Sequence, residues 1–208
     1  MTVEPAENIE ALLAKPYPTM KDLEEFCRQA RLEKYRSVVV PSSLVEAAYE
    51  FVAEEGIKVC CLVGYPFGSS ASDAKRFEAE LAVDDGAHEL ELVPSISKLI
   101  DRNYKEALRE IRDVVEAADE RQVRVSIEFP LWPKEQLNDI VQLVLDSGAH
   151  FITTSVAPPV QRPVTSEDVK MLRELVGSGF GLKVGGLRKD SNPAEFLAAG
   201  ATRVGLLV

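Results

Sequence analysis

The sequence is poor in the side chains that most often carry metal or nucleophilic catalysis. It contains two histidines and three cysteines among 208 residues, and no H-x-H, H-E-x-x-H or C-x-x-C spacing occurs. Zinc sites and Ser-His-Asp triads depend on such residues. Both kinds of site are therefore disfavoured, and we expect no metal and no cofactor. An odd number of cysteines without a framework is typical of a reducing compartment, which indicates the cytoplasm.

Basic residues and long apolar runs are also scarce. The 24 basic residues face 34 acidic ones, giving a net charge of −10, which argues against nucleic acid or an anionic membrane as the main partner. No apolar stretch is long enough to span a bilayer, and residues 1–5 do not look like a signal peptide. No nucleotide-binding G-x-G-x-x-G or Walker A loop is found. The expected partner is a small molecule.

One local pattern is repeated along the chain instead. A helical stretch ends at a glycine and an apolar strand follows at once. Seven strands are plain, near residues 37–41, 58–65, 88–94, 124–129, 150–156, 181–186 and 203–208, while 9–13 is a weaker candidate that could equally be helical. Helical periodicity lies between them, at residues 20–31 (capped by Thr19), 43–52, 73–84 (capped by Ser72), 104–118, 133–146, 166–176 and 193–199.

Strands that alternate with helices in this way predict an α/β protein with a parallel sheet. We expect one domain over residues 1–208, a (β/α)8 TIM barrel, with an open doubly wound sheet as the alternative. The sequence ends at the last strand, so either the final helix is missing through truncation or another subunit covers that edge. A homo-oligomer is therefore expected. His88 and His150 start their strands, at the end of a barrel opposite its active site, and are interpreted as structural.

Alternation within the strands places polar residues on the face that lines a barrel's interior. The residues on this face are Glu91, Arg124, Ser126, Glu128, Thr153, Ser155 and Lys183. A buried ion-pair network that only holds the core would be a poor source of stability. Ionisable clusters in clefts are where enzymes tune pKa values, so we predict a functional site.

Lys183 is the predicted centre of this site. It lies in the run G-L-K-V-G-G-L-R-K at 181–189, which is typical of a buried strand that ends at a glycine pair. A buried lysine beside another cation can lose its proton near neutral pH and attack a carbonyl to form a Schiff base. Gly185 and Gly186 would let backbone N–H groups come close to a ligand.

Several motifs carry a family resemblance over nearly the whole length. The most specific are V-G-Y-P-F-G at 63–68 and K-V-G-G-L-R at 183–188. Others are K-P-Y-P-T at 15–19, V-V-P-S at 39–42, K-R-F-E at 75–78, G-A-H-E-L-E at 86–91, V-S-I-E at 125–128 and F-I-T-T-S at 151–155. With these motifs the chain resembles deoxyribose-phosphate aldolase and its class I relatives. The resemblance implies a (β/α)8 barrel and carbon–carbon lyase chemistry on a small, sugar-like carbonyl compound.

The resemblance also implies roles for individual residues. The position of the family's Schiff-base lysine, on the sixth strand, is Thr153 here, and threonine cannot form an imine. The family's proton-shuttling aspartate corresponds to Glu91, and its fifth-strand lysine corresponds to Arg124. Its second active-site lysine, on the seventh strand, is kept as Lys183.

The family's phosphate-binding features are reduced. A-P-P-V-Q-R-P at 157–163 replaces a glycine-rich stretch, and L-L-V at 206–208 replaces the serine-rich end of the eighth strand. Gly185 and Gly186 remain, with Arg188 beside them.

Two main hypotheses follow. In the first, the chain is a divergent lyase with catalytic Lys183, Glu91 and Arg124 and a substrate site of Glu128, Thr153, Ser155, Gly185, Gly186 and Arg188. In the second, it is a non-catalytic paralogue that binds a small molecule or a partner subunit. A third, weaker alternative is deoxyribose-phosphate cleavage with a relocated imine.

Overall fold

The computed structural model of this chain describes residues 5–13, 15–156 and 162–208. Its strands are β1 (Ile9–Leu12), β2 (Ser37–Pro41), β3 (Lys58–Val63), β4 (Glu89–Leu92), β5 (Gln122–Ser126), β6 (Phe151–Thr153), β7 (Gly181–Arg188) and β8 (Arg203–Leu207). They are parallel and close into one barrel in sequence order. The predicted (β/α)8 architecture is confirmed. The open-sheet alternative is wrong, because β1 pairs with both β2 and β8.

Helices connect successive strands around the barrel. They are α1 (Met20–Leu32), α2 (Val45–Val52), α3 (Ser72–Asp84), α4 (Ile96–Ile100), α5 (Tyr104–Ala117), α6 (Lys134–Leu145), α7 (Ser166–Val176) and α8 (Pro193–Ala198). The sequence pattern did not predict α4, since its five residues are too few to show a helical period. Only Val208 follows β8 in the sequence. Residues 157–161, most of the segment that replaces the family's glycine-rich stretch, lie outside the described residues.

The helix caps agree only in part with prediction. Thr19 caps α1 as expected, and its side chain forms a reciprocal capping box with Asp22. The prediction that Ser72 caps α3 is wrong. Ser72 is the first residue of that helix, and its hydroxyl donates to Glu110 Oε2 of α5 at 2.8 Å.

Apolar side chains form two separate buried clusters. The larger lies between the barrel and its helices and contains the outward residues of every strand, for example Val38, Val59 and Leu90. The smaller lies inside the barrel. This separation follows from strand alternation, since successive side chains point to opposite faces of the sheet.

The histidines and cysteines take structural positions. His88 Nδ1 accepts from the Val59 N–H and His150 Nδ1 from the Val123 N–H, each at 3.1 Å, near the starts of β3 and β5. These contacts agree with the structural interpretation of both histidines. All three cysteines are buried and free. Within the described residues, no helix has the length and apolar character needed to cross a membrane.

Candidate active site

The strand alternation brings six buried ionisable side chains together inside the barrel. We call them the lumen ion cluster: Glu10, Glu89, Glu91, Arg124, Lys183 and Arg203. They come from β1, β4, β5, β7 and β8. Charges this far from water are tolerated only when they are paired, and each member of the cluster has an oppositely charged partner.

Lys183 lies between two carboxylates. Its Nζ is 2.6 Å from Glu91 Oε2 and 2.8 Å from Glu10 Oε2, and the residue is only 3% exposed. Gly205, on the neighbouring strand β8, makes room for it, since a Cβ there would lie 3.0 Å from Lys183 Cε. The lysine is therefore held at one place and in one orientation.

The two arginines join the remaining carboxylates. Arg124 pairs with both Glu10 and Glu89, and its Nη1 is 3.7 Å from Glu91 Oε2. Arg203 Nη1 lies 2.6 Å from Glu89 Oε2, and its guanidinium stacks 4.2 Å from the centroid of the Phe151 ring. This network fixes the carboxylates that in turn hold Lys183.

The electrostatics of the cluster keep Lys183 protonated. Burial lowers the pKa of Lys183, but Glu10 and Glu91 outweigh burial, and the pKa lies above its ordinary value. The two carboxylates thus oppose the loss of a proton that the sequence predicts for Lys183, and the catalytic role of Lys183 stays a prediction. Arg124 does act to lower the pKa of Lys183, but the two carboxylates in direct contact act more strongly.

Two lumen carboxyl groups, Glu89 and Glu10, have pKa values below their ordinary value. Burial raises the pKa of Glu89, but Arg124 and Arg203 bring that pKa down to about 2. Burial also raises the pKa of Glu10, and Arg124, Lys183 and Arg203 together bring it well below its usual range. Both side chains are thus carboxylates at neutral pH.

Two polar atoms beside Lys183, and the Lys183 ammonium itself, have hydrogen-bonding capacity that the described residues leave unused. Glu91 Oε1 and Thr153 Oγ1 are buried without a hydrogen-bond partner among the described residues. Thr153 is the β6 residue in register with Lys183. The Lys183 ammonium has three N–H donors, and two carboxylate oxygens account for two of them in the described part of the chain. Buried polar atoms in this state are usually satisfied by water or ligand.

Glu128 forms a second feature, just beyond the end of β5. Its backbone is left-handed, with φ +48°, which is uncommon for a residue other than glycine. Its carboxyl accepts from Ser155 Oγ at 2.6 Å, from Ser126 Oγ at 3.0 Å and from the Val156 N–H at 3.3 Å. Burial raises the pKa of Glu128 by more than these hydrogen bonds lower it. Backbone strain and a raised pKa together are typical of a functional carboxyl.

The predicted site residues fall into three groups. Lys183, Glu91, Arg124 and Thr153 meet in the lumen, and Glu128 with Ser155 lies nearer the carboxyl ends of the strands. Gly185, Gly186 and Arg188 lie farther along β7.

In this third group, Gly185 and Arg188 form their hydrogen bonds and ion pairs with other residues of the protein. The Gly185 N–H donates to Thr154 Oγ1 at 3.1 Å. The Arg188 side chain is 81% exposed and pairs with Asp190 at 2.9 Å. An anion-binding role for this group stays a prediction.

Sequence reasoning missed three members of the cluster. Glu10 alternates with Ile9 and Ala11, but its strand is only four residues long and gave a weak signal. Glu89 shares a face with Glu91, and that spacing could have identified it. Arg203 is the first residue of β8, where alternation has barely begun.

Comparison with known proteins assigns the family. No family model matches the chain. The deoxyribose-phosphate aldolase of Bdellovibrio bacteriovorus is 35% identical over 198 residues, which cover 95% of this chain and 90% of that protein. The chain belongs to the deoxyribose-phosphate aldolase family. Deoxyribose-phosphate aldolase 1 of Bacillus licheniformis is 34% identical over 207 residues, or 99% of this chain and 92% of the relative.

A solved structure of the family has the same fold. The tetrameric deoxyribose-phosphate aldolase from Aeropyrum pernix superposes with a TM-score of 0.87 at 26% identity, covering 97% of this chain and 86% of that one. Among the described residues, no group of three or more His, Cys, Asp or Glu side chains could hold a metal ion. Beside the two arginines and the other carboxylates of the lumen ion cluster, the lumen contains the Lys183 ammonium, the Thr153 hydroxyl and the Glu91 carboxylate close together.

Proposed function

We propose that this chain is an aldolase-type lyase that cleaves or forms a carbon–carbon bond in a small hydroxy-carbonyl compound through an enolate, without an imine. The observation that carries the proposal is a set of polar groups at Lys183 that have no hydrogen-bond partner among the described residues: Glu91 Oε1, Thr153 Oγ1 and one ammonium N–H. Two hydrogen-bond donors and one acceptor are what a hydroxy-carbonyl compound requires.

Lys183 and Thr153 hold the substrate carbonyl in this proposal. The ammonium N–H and the threonine hydroxyl donate to the carbonyl oxygen, which becomes the enolate oxygen as the bond breaks. Donors that are fixed in a water-poor site stabilise such developing charge strongly, and one donor contributes about 10²–10³ in rate. Thr153 therefore acts as a hydrogen-bond donor, at the position where the resemblance to deoxyribose-phosphate aldolase places a nucleophilic lysine.

Glu91 is the base for the substrate hydroxyl. Its free Oε1 takes the hydroxyl proton, the electron pair of that O–H bond forms the new carbonyl, and the carbon–carbon bond breaks. The pair from the broken bond becomes the enolate. Cleavage thus produces one aldehyde or ketone and one enolate, with the proton on Glu91.

Glu128 supplies the proton that converts the enolate into the second carbonyl product. Its raised pKa favours the protonated form, which delivers a proton to the enolate carbon. The proton on Glu91 then passes to Glu128 through water, so the enzyme ends the cycle as it began. Arg124 and Glu10 touch no reacting atom and position Glu91 and Lys183 through their ion pairs.

The test compares two variants at one position. Aldol addition of acetaldehyde to a panel of small aldehydes is measured with Thr153→Val and Thr153→Ser. The valine variant keeps the shape but loses the hydroxyl, and kcat should fall about 10²–10³-fold. The serine variant keeps the hydroxyl and should stay within about tenfold of the parent. An unchanged rate in Thr153→Val contradicts the proposal.

A non-catalytic binding protein is the second candidate. It is favoured by the burial of Thr153, Glu91 and Arg124, none of which is exposed to solvent. If this candidate is right, the aldehyde panel raises the melting temperature but yields no addition product.

The proposal includes assembly and location. A homo-oligomer is supported by the tetrameric relative from Aeropyrum pernix, and light scattering measures the mass of the assembly. The cytoplasm is supported by three cysteines that are free and buried.

A further inference from the structure

The backbone at Glu128 has a conformation that a glutamate does not adopt unaided. Its φ of +48° and ψ of +54° are left-handed, and in this conformation the Cβ of a residue other than glycine lies too close to the following carbonyl oxygen. Such a conformation persists only where the surrounding structure fixes it. The contacts that fix it therefore decide where the Glu128 carboxyl lies.

Main-chain hydrogen bonds hold the two neighbours of Glu128 at the end of β6. The Ile127 N–H donates to the Thr153 carbonyl at 3.0 Å, and the Phe129 N–H donates to the Thr154 carbonyl at 2.7 Å. The Ile127 carbonyl, which directly precedes Glu128, belongs to a residue with no exposed surface. A carbonyl in such a place needs a donor of its own.

The side chain of Trp132 supplies this donor. Its indole N–H donates to the Ile127 carbonyl, and its partly buried ring packs on the outer core. The bond fixes the orientation of the peptide group between Ile127 and Glu128. Because φ of Glu128 is the rotation about the bond next to this peptide group, the indole restrains the left-handed conformation directly.

The local sequence keeps the indole in place. Trp132 lies in the run F-P-L-W-P at 129–133, and a residue that precedes proline favours an extended backbone. Trp132 has this conformation, with φ −97° and ψ 130°. Pro133 is in turn the N-cap of α6. The indole is therefore attached to a short, stiff connection that leads straight into a helix.

The left-handed turn keeps the Glu128 carboxyl buried. There it accepts from the hydroxyls of Ser126 and Ser155, and burial is the main reason that its pKa is raised. Two further titratable groups face it, Glu91 in the lumen and Tyr65 after β3. The charge of Glu91 adds to the rise in the pKa of Glu128, and Glu128 in turn helps to raise the pKa of Tyr65.

We infer that Trp132 is a positioning residue for Glu128, whose indole N–H maintains the turn that holds the carboxyl in the site. Trp132 touches no reacting atom. Without the N–H, the Ile127 carbonyl loses its donor, Glu128 relaxes to an extended backbone, and its carboxyl moves toward water. The pKa of Glu128 then falls toward its ordinary value. The kinetic consequence rests on the proposed function, in which Glu128 delivers a proton.

Replacement of a single N–H group tests the inference. The chain has one tryptophan, so a tryptophan auxotroph can replace Trp132 alone with benzothienylalanine, which has nearly the same shape but a sulfur atom in place of the N–H. 5-Fluorotryptophan keeps the N–H and is the matched control. The pKa of Glu128 is measured by carbon-13 NMR on protein labelled at the glutamate carboxyl carbons. The Glu128 signal is assigned by its loss in Glu128→Gln.

The benzothienylalanine protein should have a Glu128 pKa close to that of an ordinary glutamate, about 4.3. The fall of the cleavage rate with rising pH should move to lower pH by the same amount. The fluorotryptophan protein should keep the parent's pKa and pH profile. Trp132→Phe, which also lacks the N–H, should reproduce the benzothienylalanine result.

A parent-like Glu128 pKa in the benzothienylalanine protein overturns the inference, as does an equal fall in the fluorotryptophan protein. A loss of unfolding free energy with an unchanged Glu128 pKa also overturns it, because Trp132 would then only stabilise the fold. If the pKa falls but the cleavage rate keeps its pH profile, the inference stands and the role of Glu128 in the proposed function fails.

Discussion

Lys183 shows how contact distance decides the chemistry of a single residue. A neighbouring cation and burial both act to remove its proton, yet two carboxylates within 2.8 Å raise its pKa. An ammonium cannot attack a carbonyl, so the residue is suited to hold an oxygen rather than to bind a carbon. Thr153, in register beside it, suits the same task.

Glu128 gives the first prediction at the scale of a residue. Because burial raises its pKa, the protonated form persists above the pH at which an ordinary glutamate ionises. The rate of carbon–carbon bond cleavage should therefore fall as the pH rises through this raised pKa. Glu128→Gln cannot donate the proton, so kcat should fall about 10²–10⁴-fold and this part of the pH profile should vanish.

Glu135→Gln serves as the control, since Glu135 is exposed in the first turn of α6. It should reproduce the parent's pH profile. A Glu128→Gln enzyme that keeps both its rate and its pH dependence would remove Glu128 from the mechanism.

At the scale of elements, a buried ion pair joins α3 to α5 and positions two loops. Lys75 Nζ donates to Glu110 Oε1 and to the Gly68 carbonyl, each at 2.7 Å, and neither charged side chain is exposed to solvent. Glu110 Oε1 also accepts from the Ser95 N–H at 2.7 Å. The segments that follow β3 and β4 are thereby attached to the same pair.

The second prediction follows from this pair. Lys75→Met leaves the Glu110 carboxylate buried beside one partly exposed cation, Lys98. The free energy of unfolding in urea should fall by about 3–5 kcal/mol. Adding Glu110→Leu should recover part of that loss, because the unpaired charge is then removed. Arg76→Met breaks only surface pairs and should hardly change the urea midpoint. Equal effects of Lys75→Met and Arg76→Met would refute the account.

For the whole molecule, the lumen ion cluster predicts a dependence of stability on pH. Glu10 and Glu89 have pKa values below their unfolded values, so they contribute stability above about pH 4.5 and lose it as the pH falls. For Glu89, a fall from 4.5 to about 2 corresponds to about 3 kcal/mol. Urea unfolding at steps from pH 6 to pH 3 should show this loss.

Glu10→Gln should lower stability at pH 6 and flatten the acid dependence. Glu25→Gln, which changes an exposed partner of Arg28, should keep the parent's slope. An acid slope that survives unchanged in Glu10→Gln would show that other groups control it.

The sequence was informative where one strand repeats a simple pattern. Alternation alone predicts that Lys183, Glu91, Arg124 and Thr153 line the lumen, and all four are buried there. It could not give the protonation of Lys183, because that depends on Glu10, which lies far away in the chain and reaches Lys183 only when β1 and β8 close the barrel.

The sequence also did not predict where β5 ends or the backbone conformation at Glu128. The strand expected at 124–129 is Gln122–Ser126, and the chain leaves it before Glu128, whose left-handed backbone turns the carboxyl toward Ser126 and Ser155. Glycine is the usual sequence sign of a left-handed backbone. Because the turn at Glu128 contains no glycine, the sequence does not predict it.

The most direct test of the central claim is turnover in the presence of a trapping agent. The enzyme is incubated with acetaldehyde and an acceptor aldehyde, with and without borohydride-type reductant, and then mapped by mass spectrometry. Catalysis through an enolate predicts addition product, no progressive inactivation and no reduced adduct on Lys183. Inactivation that parallels a single adduct mapped to Lys183 would contradict the account, because it would show that the lysine forms an imine.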